Sequence, residues 1–142
     1  MKDFEKYFEE IKEDLNECEE DFERIEMLTE YGDELDEYPE EKMIEDNKVK
    51  GCVSITYICA EKDSMGKIQF KGYSDSLMVK GFAGILVNGL SDLDADTIIE
   101  KTPKVIENFV NETNIKASVT PSRANSFGSM YELMLEHAKR LK

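Results

Sequence analysis

The chain has 142 residues, 40% of them hydrophobic, and a formal net charge of −14. That length suits one domain better than two, and the apolar content supports a core, which excludes global disorder. The charge is uneven: residues 1–46 carry 21 of the 32 acidic residues and 5 of the 18 basic ones. A phosphate backbone needs a basic footprint, so nucleic acid is a poor partner, and the acidic segment reads as a solvated helical face, with a steering surface for a basic partner or a salt-adapted proteome as the sharper alternative.

In chain order, Phe4, Tyr7, Phe8, Ile11, Leu15 and Cys18 recur at three- and four-residue steps between acids, which predicts an amphipathic helix with one buried stripe. Asp21 reads as the N-cap of a second helix carrying Phe22, Ile25, Leu28 and Tyr31 and ending at Gly32. Residues 33–46, with Pro39, read as a loop. The period then changes: Val53, Ile55, Tyr57 and Cys59 alternate with Ser54, Thr56, Ile58 and Ala60. An antiparallel hairpin over about residues 53–61 and 67–73 follows, with Gly66 in its turn. Val49 reads as a short strand before it, which leaves Gly51 and Cys52 at a bend.

Ser74-Asp75 reads as a cap for an apolar helix over 76–90, in which Gly81 and Gly84 permit close approach. Short helices are expected near 94–101 and 103–113. The last opens at Thr120-Pro121, a cap followed by a first-turn proline, and runs to about Leu141. The order is helices, hairpin, helices: an α+β fold, with a small antiparallel sheet of about three strands packed against helices on one face. No linker or repeat divides the chain, so 1–142 reads as a single domain, an acidic N-terminal helix (1–20) followed by 21–142. No apolar run is long enough to span a bilayer and the first residues do not lead into a signal peptide, so a soluble cytoplasmic protein without a membrane partner is expected.

Three widely spaced cysteines make no disulfide framework. Cys18, on the helix stripe, and Cys59, in the strand, read as core thiols; an unbroken strand would put Cys52 and Cys59 on opposite faces. Cys52 follows a glycine, with Lys48 and Lys50 just before it. Cations favour a thiolate and glycine lets the chain bend and expose the sulfur, so a reactive thiol and a small buried one both stay open here. There is no CxxC, GxGxxG or P-loop, and the one histidine, His137, reads as solvated near a helix C-terminus, so no metal site, nucleotide site or triad is visible. Arg123 is a cation in the first turn of the last helix, where the helix end is already positive. That placement suggests an anionic partner, a thiolate or persulfide, with an exposed arginine as the plainer alternative.

Gly51-Cys52-x-Ser54, the hairpin, Ser74-Asp75 with Val79-Lys80-Gly81, and Thr120-Pro121-Ser122-Arg123-Ala124-Asn125 together resemble the SufE family of sulfur-acceptor proteins, over roughly residues 21–141. The resemblance implies a fold like that of the iron–sulfur scaffold proteins. It implies that Cys52 takes sulfane sulfur, as a persulfide, from a PLP-dependent cysteine desulfurase of the SufS type, stimulates that enzyme, and passes the sulfur to a scaffold complex of the SufBCD type. Gly51, Ser54, Asp75, Ser122, Arg123 and Asn125 would be supporting residues. No cofactor is implied beyond the transient persulfide, since the PLP belongs to the partner. One departure is Val53, where the family usually has glutamine. Two alternatives stand beside this reading: a non-catalytic allosteric regulator of a desulfurase, and an iron–sulfur scaffold. For the second, Cys18, Cys52, Cys59 and His137 are poorly spaced.

Overall fold

A computed structural model describes residues 3–113 and 121–142, with the side chains of 121–124 left out. Among the described residues are five helices, α1 (Phe4–Glu17), α2 (Asp21–Asp33), α3 (Leu77–Leu90), α4 (Ala95–Glu112) and α5 (Pro121–Leu141). Three strands, β1 (Thr56–Lys62), β2 (Lys67–Ser74) and β3 (Leu93–Asp94), form an antiparallel sheet in the order β1-β2-β3. This is the expected α+β architecture.

The period-2 pattern of the hairpin sets which face is covered. Thr56 pairs with Ser74, Ile58 with Gly72 and Ala60 with Phe70. These residues face the helices, where Ile58, Ile68 and Phe70 join the core. Against β2 lies α3, whose Val79, Phe82, Ile85, Leu86 and Leu90 are fully buried. Each such side chain is worth about 1.5–3 kcal/mol of burial, so α3 anchors the fold. A Cβ added to Gly81 would stand 2.2 Å from the Leu28 carbonyl oxygen, and one on Gly84 would stand 2.2 Å from that of Tyr31. These two glycines let α2 and α3 meet backbone to backbone.

That seam explains the differences in α2. Phe22 is 66% exposed and Ile25 is also exposed, while Arg24, Leu28 and Gly32 are buried. The row facing α3 is the one that ends in Gly32, where a Cβ would press on the α3 backbone, 3.1 Å from Gly81 N. Gly32 is therefore a packing residue and the helix runs on to Asp33. Glu20, not Asp21, is the N-cap; the Asp21 carboxylate instead binds Arg24, whose guanidinium also donates to the Cys18 carbonyl at 2.6 Å. Cys18 itself is half-buried, with its sulfur 3.5 Å from the Asp14 carbonyl, because it is the extended C-cap of α1, one position beyond the helix whose stripe Phe4, Phe8, Ile11 and Leu15 is buried.

Three further differences have local causes. The expected pair of helices after residue 94 is one helix, α4, running through Pro103. Ile98, Thr102, Ile106 and Phe109 stay on one buried face across the proline, and their burial offsets the missing N–H. The N-cap of α3 is Ser76, whose Oγ accepts from Val79 N at 3.4 Å, because Ser74 ends β2 and Asp75 is used elsewhere. His137 is buried, not solvated. Its Nε2 lies 2.9 Å from the Ile58 carbonyl, which can only accept, so Nε2 carries the proton and ties α5 to β1. Burial pushes the His137 imidazole below its ordinary range.

Candidate functional site

The first strand starts at Thr56, later than the alternating pattern predicts. Before it, Lys48 makes an isolated antiparallel bridge with Tyr57, and Val49 N donates to the Thr56 carbonyl at 2.9 Å. These contacts close residues 50–55 into a bend. Val49 thus contributes a bridge, not a strand, and the bend interrupts the alternation that would have set Cys52 opposite Cys59. Gly51 takes φ +79°, a conformation that glycine adopts without strain. A Cβ at Gly51 would also meet the Ser129 hydroxyl of α5 at 3.3 Å, so the bend is seated close against that helix.

Cys52 is half-buried, resting on the edge of the core. Its Sγ lies 3.4 Å from the Thr56 hydroxyl oxygen. Thr56 is fully buried, 3.0 Å from the buried Ser74 hydroxyl and 3.3 Å from the Ser54 carbonyl. Ser74 in turn accepts from Ser76 N at 3.2 Å. From the other side Asp75 clamps the bend twice: its carboxylate accepts from Ile55 N and its own N–H donates to the Ile55 carbonyl, both at 3.1 Å. The bend is therefore tied to the β2–α3 corner as well as to β1.

The bend and the corner that clamps it carry exposed apolar side chains. Val53 is 69% exposed and Ile55 is 53% exposed, and Leu77, two residues after the Asp75 clamp, is 65% exposed. Isolated exposed apolar residues need no explanation, but three tied to one bend mark a surface suited to a protein partner. Beside them a groove runs between the arm leading into the bend and α5, with Lys48, Lys50 and Arg140 set among Glu132 and Glu136. The two lysines share their surroundings with carboxylates, so their charge is not directed at the sulfur alone.

Of the residues singled out from sequence, the structure gathers Gly51, Cys52, Ser54 and Asp75 at the bend. Ser54 contributes its carbonyl, as acceptor for Thr56. Asn125 is exposed on the first turns of α5, while Ser129, one turn further on, faces Gly51. The side chains of Ser122 and Arg123, like Thr120 as a whole, lie outside the described residues. Thr56 and Ser74 were missed. Their signal is two hydroxyl residues at cross-strand positions on the face that otherwise packs the core. Among the described residues no group of three or more His, Cys, Asp or Glu converges to hold a metal ion.

Cys59 is the contrast. It is buried on the sheet face opposite the helices, where residues 34–48 fold over and Tyr38 packs against Tyr57 and Tyr73. Burial pushes its thiol up, against smaller downward effects from Tyr38, Lys42 and Lys71.

Comparison with known proteins agrees with this architecture. A solution structure of a hypothetical protein from Thermus thermophilus superposes with a TM-score of 0.74 over 95% of both chains at 19% identity, which shows a shared fold. An uncharacterized SufE-like protein of Synechocystis is 41% identical over 78% of this chain and 67% of its own length. The cysteine desulfuration protein SufE of Wigglesworthia glossinidia brevipalpis is 30% identical over 87% of this chain and 84% of its own. A third relative, SufE-like protein 1 of Arabidopsis thaliana, chloroplastic/mitochondrial, is 33% identical over 84% of this chain, which spans only 31% of that longer protein. Residues 9–138 match the family described as SufE, Fe-S metabolism associated domain. With nine-tenths of its length matched, a neighbour of the same fold and a clamped cysteine bend at its surface, the chain belongs to the SufE family.

Proposed function

We propose that this protein carries sulfur for iron–sulfur metabolism, accepting a sulfane sulfur on Cys52 from a cysteine desulfurase and handing it to an assembly scaffold. The observation that carries the reading is the bend itself: it holds a half-buried thiol, is clamped from two sides, and bears exposed Val53 and Ile55, with exposed Leu77 at the clamping corner. The names of the relatives, among them cysteine desulfuration proteins, point to the same chemistry.

The step needs one thiolate. The Cys52 sulfur attacks the terminal sulfur of the donor's persulfide, a new S–S bond forms on Cys52, the donor's S–S bond breaks, and the donor cysteine leaves as a thiolate. The transferred sulfur keeps its proton or gives it to solvent, and no external oxidant or reductant is used. Onward delivery repeats the step with Cys52 as donor. These exposed apolar side chains would exclude water and soluble thiols from the junction once a partner sits on them.

The test is mass spectrometry of the intact protein after incubation with a PLP-dependent desulfurase and cysteine. The expected result is a gain of one sulfur atom, mapped to Cys52 and absent from Cys52→Ala. An unmodified Cys52 beside an active desulfurase overturns the carrier reading. If Cys52→Ala also raises desulfurase turnover as fully as wild type does, the protein is an allosteric regulator instead.

A further inference from the structure

We propose that the buried hydroxyls of Thr56 and Ser74 form a directed hydrogen-bond chain that starts at the N-terminus of α3 and ends by donating to the Cys52 sulfur. The inference deepens the sulfur-carrier reading and rests on it for its catalytic meaning, though the geometry stands by itself.

The direction of the chain follows from what each group can do. A backbone amide only donates, so Ser76 N–H gives its proton to the Ser74 oxygen at 3.2 Å. Ser74 is buried, and a buried hydroxyl proton needs an acceptor. The Thr56 oxygen, at 3.0 Å, is the acceptor shown. The oxygen of Thr56 is thus engaged by Ser74, and its own proton has two places to go: the Ser54 carbonyl at 3.3 Å or the Cys52 sulfur at 3.4 Å. While Cys52 is a thiol, the carbonyl takes that proton and the S–H can point to the Thr56 oxygen. Once the thiol ionises, sulfur can only accept, and a rotation about the Thr56 Cβ–Oγ1 bond turns the proton onto it. No atom but that hydrogen needs to move.

A hydrogen bond to a charged group is stronger than one between neutral groups, so the rotation favours the thiolate. Cys52 sits in a bend and Thr56 in the rigid sheet, so the donor is held by the core while the sulfur remains at the surface. Among the described residues, the charged groups near the bend are Glu45, Asp46, Lys48 and Lys50 on its leading arm, Asp75 at the β2–α3 corner, and Glu132, Glu136 and Arg140 on α5. The Asp75 carboxylate is engaged by Ile55 N. All of them are common to the variants below. Thr56 acts as a donor to the reacting sulfur, and Ser74 is a positioning residue acting through it.

The experiment is the pH profile of Cys52 alkylation by iodoacetamide, read by peptide mass spectrometry on the full chain without any partner. In Thr56→Val the midpoint moves up by about one pH unit, so that alkylation below both midpoints is about tenfold slower, while Thr56→Ser restores the wild-type profile. Ser74→Ala, which leaves Thr56 in place, moves the midpoint the same way by less, and it serves where Thr56→Val fails to fold. Circular dichroism checks folding in each case. Profiles that coincide with wild type in the folded variants, or a folded Thr56→Ser that fails to restore the midpoint, overturn the proposal. Because no desulfurase is present, shifted profiles with no sulfur uptake would sink the carrier reading alone. Sulfur uptake with unshifted profiles would sink this chain alone.

Discussion

Cys52 and Cys59 are seven positions apart in sequence, one at the expected bend and one in the expected strand after it, and the fold gives them opposite settings. Cys59 lies inside β1, buried where Tyr38 and its loop cover the back of the sheet, with its thiol pushed up by burial. Cys52 lies in the bend before β1, half-exposed, with a hydroxyl at its sulfur and exposed Val53 and Ile55 on the same bend. The two thiols start with the same chemistry. What separates them is that the ladder begins at Thr56, which leaves one sulfur outside the sheet and one within it.

The sharpest way to break that contrast is to label both thiols in the folded protein. Cys52 is expected to react with iodoacetamide at least about 100-fold faster than Cys59, because Cys59 must wait for a local opening that costs a few kcal/mol. Adding denaturant should erase the difference. Comparable rates in the native state would show that the sheet does not shelter Cys59. In the same frame, Cys59→Ala should retain sulfur uptake while Cys52→Ala loses it.

A smaller effect concerns how the bend is held. Gly51 and Gly66 share φ +79°, but a Cβ at Gly66 meets nothing within 4 Å while one at Gly51 meets Ser129. Each Gly→Ala change should cost about 1 kcal/mol of backbone strain in thermal or denaturant unfolding. Gly51→Ala should cost a few tenths more, since the Ser129 hydroxyl must give way. Equal losses would mean that the bend is not seated on α5.

The smallest effect is a pH dependence at the contact between α5 and β1. His137 holds the Ile58 carbonyl, next to Cys59, and is neutral in the fold with its ionisation depressed by burial. The unfolded chain therefore binds the proton more readily, beginning as pH falls through the ordinary histidine value of about 6.5. Stability is fully present above that value and is lost progressively as pH falls toward the folded-state ionisation. Denaturant midpoints at pH 7.5 and 5.5, as order-of-magnitude choices either side of it, should differ more in wild type than in His137→Gln. That variant keeps a donor for the carbonyl but does not titrate. Equal differences would remove His137 as the cause.

Several parts of this molecule are legible from residue pattern. The stripe of α1, the hairpin pairs, the apolar run of α3 with its two small-residue gaps, and the first-turn proline of α5 all carry periodic or capping signals. The misreadings share one cause: a local pattern says that a side chain is apolar or small, but not which neighbour it meets. Phe22 and Ile25 fit a helical stripe, and α3 docks on the row ending in Gly32 instead. Pro103 looks like a helix stop, and the in-phase row Ile98, Thr102, Ile106, Phe109 carries the helix across it. His137 reads as a solvated cap until β1 presents the Ile58 carbonyl to it.

By itself, then, the sequence determined the α+β class, the element order, and a Gly-Cys bend ahead of the hairpin. Those properties follow from neighbours in the chain: periodicity, turn residues, and the freedom of glycine. Only the tertiary structure decided which cysteine stays half-exposed and which is buried in the sheet, and that Thr56 and Ser74 stand behind the first. The reason is that a thiol's reactivity is set by desolvation and by nearby hydrogen-bond donors. Here those come from β1, β2 and the start of α3, which meet at the sulfur only once the sheet and helices have packed.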